Sequence, residues 1–236
     1  MKSGVSGAQG LVLAGALAIL LTACQNPVPA PSGSPSSAAP SAGTPTAAGP
    51  TGTGPAAGPT ATALPAEAQA ALDQELVAAA KANNAALVAG LIERGGNVNT
   101  KDSIQDSAFL YAGAEGFNDV LRLTLAAGAD VASTNRYGGT ALIPASEHGH
   151  VDTVKILIGA GVPVNHVNNL GWTAMQEAIL LNDGGPRQQE VVRLLLAAGA
   201  DPDIRDPEGR TALQNAERLG FGEIAALIRG HGGPAR

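Results

Sequence analysis

Two short phrases recur from Gly95 onward at the same spacing, and that recurrence limits the fold more than any other feature of the chain. Gly95-Gly96-Asn97-Val98, Gly128-Ala129-Asp130-Val131, Gly161-Val162-Pro163-Val164 and Gly199-Ala200-Asp201-Pro202 stand 33, 33 and 38 residues apart. Ser107-Ala108, Thr140-Ala141, Thr173-Ala174 and Thr211-Ala212 keep the same register, including the same five-residue slip. A fixed period of this length marks stacked supersecondary units.

Each period predicts helix, turn, helix and loop. In the third unit Thr140 is the expected N-cap of a short helix to about His148, its hydroxyl accepting a bond from a backbone N–H of the first turn. Gly149 then breaks the chain. Val151, Val154, Ile156, Leu157 and Ile158 predict a second helix, about Val151 to Ala160, with apolar residues at i,i+3 and i,i+4. Gly161 suits the left-handed position that ends it. The same pattern predicts helices over about 120–127, before Gly128, and about 190–198, before Gly199. No unit can bury its apolar face alone, so the units are expected to stack. With only six aromatic residues in the chain, the core must come from Leu, Ile, Val and Ala, which suits packed helices better than a sandwich.

Thr140-Ala141-Leu142, Ala145, Gly149-His150, Val154, Leu157 and Gly161 resemble the ankyrin-repeat pattern, as do the aligned Asp102, Asn135, Asn168 and Asp206 of the loops. Gly138, Gly171 and Gly209 follow three residues after the last three of these, and Gln105 takes that place in the second unit. The resemblance implies an all-α ankyrin-repeat solenoid of about five helix-turn-helix units, at about 73–101, 102–134, 135–167, 168–205 and 206–230, the outer two acting as caps. The family's proline after the threonine is Ala108, Ala141, Ala174 and Ala212 here, and its histidine is Leu110, Ile143, Gln176 and Gln214. Those positions normally hold the hairpin and bond to the neighbouring turn. The extra five residues of the fourth unit fall between its helices, in Asn182–Arg187, and are expected to project from the edge opposite the hairpin tips, with Pro186 near the first turn of the second helix.

The resemblance also implies recognition of a protein partner by a concave face of hairpin tips and first helices. The expected binding residues are Ile104, Asp106, Arg136, Tyr137, Glu147, His148, Asn169, Leu170, Trp172, Glu208 and Arg210, joined at helix ends by Ala114, Glu115, Leu180 and Leu181. Tyr137, Leu170 and Trp172 are large side chains where solvent is expected, and Tyr, Trp and Arg dominate interface energies. Trp172 has a second reading, lying flat on the next hairpin and only packing.

No nucleophile elbow, phosphate loop or HExxH pair occurs, and Ser146-Glu147-His148 are neighbours that diverge on a helix, so no enzyme, cofactor or metal site is expected. His148 and His150 are expected to point apart, with His166 nearby only in sequence. A net charge of −7 after Cys24 argues against a basic nucleic-acid face. The chain is expected to be monomeric.

Residues 1–23 read as a secretion signal: Lys2, then an apolar run from Leu11 to Leu21, too short to span a bilayer as a helix. Leu21-Thr22-Ala23-Cys24 resembles the bacterial lipobox, which implies cleavage before Cys24, its lipidation and a membrane anchor. In a two-membrane cell Gln25 favours the outer membrane facing the periplasm; in a single-membrane cell the domain stands on the outer surface. Residues 24–66 form a tether: 38 of the 42 residues from Gln25 to Ala66 are Pro, Ala, Gly, Ser or Thr, none charged. The repeat domain is expected over 67–232. Some bacterial envelope ankyrin proteins serve in oxidative-stress defence or neutralise a toxic enzyme, so a protective or inhibitory role is the alternative to general partner binding.

Overall fold

The computed structural model describes residues 64–231. The signal segment, Cys24, most of the tether and residue 232 lie outside the described residues. Ten helices follow one another: α1 (Ala66–Lys81), α2 (Ala85–Glu93), α3 (Ala108–Glu115), α4 (Asn118–Ala126), α5 (Leu142–Glu147), α6 (Val151–Gly159), α7 (Ala174–Leu180), α8 (Pro186–Ala197), α9 (Ala212–Leu219) and α10 (Gly222–His231). They pair within units as α1·α2, α3·α4, α5·α6, α7·α8 and α9·α10. Across units, the odd helices stack in one row and the even helices in a second. Each helix therefore packs on its partner and on its neighbours in the row. The buried set runs through all five units without a break and consists of Leu, Val, Ile and Ala with Phe109 and Met175. Among the described residues no strand forms, and no helix is long and apolar enough to cross a membrane.

α6 starts at Val151 as expected, whereas α4 and α8 start at Asn118 and Pro186, two and four residues before the expected positions. Ser107, Thr173 and Thr211 are N-caps whose hydroxyls accept from Leu110, Gln176 and Gln214 at 3.2, 3.3 and 3.3 Å. Gln176 and Gln214 reach back to the cap amides and complete capping boxes. Gln176 also donates to the carbonyl of Ile204 at 2.9 Å, the bond to the neighbouring turn expected of the family histidine. Thr140 does not cap. Its helix begins at Leu142, the Ile143 amide donates to the Thr140 carbonyl at 3.1 Å, and the buried Thr140 hydroxyl is left without a partner.

Side-chain clasps join units at the loops. Asn99 donates to Gly128 at 3.1 Å and accepts from the Asp130 amide at 2.8 Å. Asn165 repeats this two junctions on, with Gly199 and Asp201 at 3.3 and 2.8 Å. Between those junctions Ala132 replaces the asparagine, and the residue it would serve is Pro163, which has no N–H to donate. Acceptor and donor are absent together. The inserted segment does not project as an outlying loop. Asn182 donates to the Glu147 carbonyl at 2.8 Å and accepts from Gln188 at 2.9 Å, and a Cβ on Gly184 would meet the Phe221 ring at 2.5 Å. The segment is sewn to the units on either side.

Gln105 stands at the tip position that Gly138, Gly171 and Gly209 occupy elsewhere, and its φ of +66° lies in the same left-handed region as theirs. A non-glycine residue there costs about 1–2 kcal/mol. Glycine would relieve that strain but add unfolded-state entropy worth about 0.4–1 kcal/mol. The exposed Gln105→Gly variant should gain about 0.5–1 kcal/mol of unfolding free energy, read as a raised urea midpoint with unchanged slope.

Candidate functional site

The loop residue shared by the units is what places the tips. Asp102 Oδ1 accepts from the amides of Ile104 and Asp106, both at 3.0 Å. Asn135 Oδ1 does the same for Tyr137 and Gly139 at 2.9 and 3.0 Å, and Asn168 for Leu170 and Trp172 at 3.0 Å each. Each tip is thus a side-chain-closed turn. The second residue after each marker has its backbone held and its side chain outside: Ile104 is 48% exposed, and Tyr137 and Leu170 are 51% exposed. Adjacent tips touch. A Cβ on Gly138 would fall 2.4 Å from Asn169, and the Asn169 amide donates to the Tyr137 carbonyl at 2.9 Å.

Below the tips runs a groove of about 410 Å³, bounded by the second to fourth units. It brings together Asp106, Arg136, Tyr137, Glu147, His148 and Leu170 of the expected binding residues, with Leu181 at its edge. Ile104, Asn169, Trp172, Glu208 and Arg210 lie outside its lining. Trp172 is half-buried, and its indole Nε1 is removed from water without a partner, which favours packing over contact. Arg210 is taken up within its own unit by Asn215 at 2.8 Å, Glu208 at 3.0 Å and Asp206 at 3.3 Å.

One end of the groove is a closed charge network. Lys81 binds Asp102 at 2.5 Å and Asp106 at 3.1 Å, and sits 5.1 Å from the Tyr111 ring centre. Burial works against the charge on Lys81, but the two carboxylates outweigh it and raise its pKa. Arg136 reaches Asp106 at 3.6 Å and lies 4.8 Å from the Tyr137 ring centre, a cation over an aromatic face.

The other end holds Glu177, which inspection of the tips and helix ends missed. Its side chain is buried on α7, and its Oε1 accepts from the Asn168 side chain at 2.7 Å. Burial pushes its carboxyl up to about 7, Glu147 adds to the rise, and the Asn168 bond and His148 oppose it. The signal that could have found it is register. Nine residues beyond each tip marker stand Tyr111, Pro144, Glu177 and Asn215, and Asn215 pairs with Asp206 at 2.8 Å as Glu177 pairs with Asn168. The two pairs are the same contact with carboxylate and amide exchanged.

His148 and His150 do not point apart. Their ring centres lie 5.5 Å from each other, edge to face, and His148 Nδ1 bonds the Ala114 carbonyl at 2.9 Å. Burial lowers the pKa of His150, and His148 lowers it further. His166 is engaged elsewhere, with the Gly138 carbonyl at 2.6 Å. Among the described residues no three His, Cys, Asp or Glu side chains are grouped to hold a metal ion.

Two stacked rows of short helices, with fixed tips over a groove, define a repeat scaffold. A family model described as "Ankyrin repeats (3 copies)" matches residues 76–168 and 109–206, and the chain belongs to the ankyrin-repeat family. It is 41% identical over 144 residues to YahD of Escherichia coli (strain K12), which spans 61% of this chain and 72% of that protein. An ankyrin repeat domain from Acinetobacter baumannii AYE is similar at 57% identity and TM-score 0.66, covering 66% of this chain and 80% of its own. The ankyrin repeat protein EF0377 is similar at 41% identity and TM-score 0.63, covering 65% and 78%. Ankyrin repeats generally mediate protein–protein interaction and are typically non-enzymatic scaffolds.

The ordinary pKa of Glu177, 4.5, applies to the unfolded chain, and about 7 to the folded one. Between those values the folded state holds a proton that the unfolded state has lost, so stability falls as pH rises from about 4.5 through about 7. At about 1.4 kcal/mol per unit the loss is on the order of 3 kcal/mol. Glu177→Gln keeps an acceptor for Asn168 and should remove this component. Urea unfolding should show the variant gaining on the wild type by that amount between pH 4.5 and pH 8.

Proposed function

We propose that the protein is a monomeric, lipid-anchored envelope protein that captures a protein partner on its concave groove. Tyr137, Leu170 and Leu181, each about half exposed, border one groove, with the Tyr137 and Leu170 amides held by Asn135 and Asn168, and this observation carries the reading. Tyr137 beside Arg136 pairs two of the residue types that dominate interface centres, and Leu170 and Leu181 add apolar surface around them. The ordering loss on binding is small because the tips are already closed by Asp102, Asn135 and Asn168.

The anchor rests on Cys24 and the residues before it. Acylation there, and a tether of about 130 Å when fully extended, let the groove sample a wide zone above the membrane. A protective or inhibitory role would use the same groove against one enzyme.

Tyr137→Ala with Leu170→Ala removes exposed side chains only. The double variant should keep its helicity and unfolding midpoint and lose about tenfold or more in partner capture from the native envelope, assayed by cross-linking and mass spectrometry. Undiminished capture would refute the concave-face reading. Trp172→Ala should act in the opposite way, lowering the midpoint first. Cys24→Ser should abolish labelling by radioactive palmitate and shift the chain from the membrane to the soluble fraction; a variant that stays labelled and sedimented would refute the anchor.

A further inference from the structure

The groove's unspent charge is negative. Glu115, Glu147 and Glu177 line it and form no ion pair among the described residues. Its one arginine, Arg136, is drawn off by Asp106. Glu177 is only 6% exposed, yet it faces the groove: Asn168 holds Oε1, and Oε2 has no hydrogen-bond partner among the described residues. A carboxylate so placed in the groove wall is largely desolvated and only half satisfied. Around it the walls are apolar, with Tyr137, Leu170, Leu181, Ile143 and Pro144. A long aliphatic stem ending in a cation is complementary to both features, since the stem covers apolar surface and the head meets the acids.

Resting on the concave-face reading above, we propose that this groove captures a lysine or arginine side chain presented by an extended segment of a protein partner. The cation sits at Glu177 and Glu147, and the stem lies along Tyr137, Leu170 and Leu181. The net charge of −6 on the chain draws such a segment in from a distance. Recognition is then local and steric: a neutral side chain of the same length leaves Glu177 buried without its counter-charge.

The test uses the full chain purified in detergent and a library of acetylated, amidated heptapeptides, randomised except at the centre, which is Lys, Arg, norleucine, Gln or Glu. Binding is read by calorimetry at pH 8, where Glu177 is ionised. Lys- and Arg-centred pools should bind about tenfold or more tighter than norleucine and Gln pools, with Glu the weakest. Glu177→Gln and Glu147→Gln, each checked for helicity, should bring the Lys and norleucine pools within about threefold. Equal binding of all centres, a Lys preference that survives both variants, or no binding of the Lys and Arg pools at about 1 mM would each overturn the inference. The Tyr137→Ala, Leu170→Ala variant separates the two readings. If it weakens every pool while the centre makes no difference, the concave face stands and cation capture falls. If it changes nothing, both fall.

Discussion

The stack depends on how closely its inner helices can approach. Facing positions along α3, α5, α7 and α9 are Ala or Gly at Ala112, Gly113, Ala141, Ala145, Ala174, Ala178, Ala212 and Ala216, and most of these are fully buried. At Gly113 the approach is close: an added Cβ would lie 2.7 Å from that of Ala141. Small residues let backbones near one another, and the larger Leu, Ile and Val fill the layer between the two rows. Burial is shared between neighbours, so each unit owes its shape to the next. That dependence also explains the few large side chains in the core, since wide rings would hold the rows apart.

Everything functional sits on the consequence of that spacing. Inner helices stacked closely bring successive tips into contact, as Asn169 lies on Gly138 and Pro207 on Gly171. The tip residues then form a continuous edge, and the groove is the space between that edge and the ends of α3, α5 and α7. Its two ends differ in charge economy. Lys81, Asp102, Asp106 and Arg136 satisfy one another at one end, whereas at the other Glu147 and Glu177 form no ion pair among the described residues.

Periodicity carried most of the fold. The spacing of Gly128, Gly161 and Gly199, the Ser/Thr positions and the loop Asx residues gave the units and their order, because each is a local rule about a turn or a cap. The misses are non-local. Thr140 looks like Thr173 in sequence, but which acceptor the Ile143 amide chooses depends on the backbone of a helix that contains Pro144. His148 and His150 meet across a glycine turn whose direction no two-residue spacing specifies. The insertion appears free until Phe221, some 37 residues on, is seen packed on Gly184. Glu177 was hidden because a helical residue nine places beyond a loop marker faces it only once the hairpin has folded back.

The exchanged pairs, Asn168 with Glu177 and Asp206 with Asn215, show that where a hairpin uses this contact, either the loop or the helix can supply the formal charge. Negative charge can therefore migrate from helix to loop by a reciprocal swap of two side chains, leaving the backbone where it was. Ligand preference in such a scaffold becomes separable from architecture: the electrostatic map of the recognition face is rewritable unit by unit, while the frame that carries it stays the same.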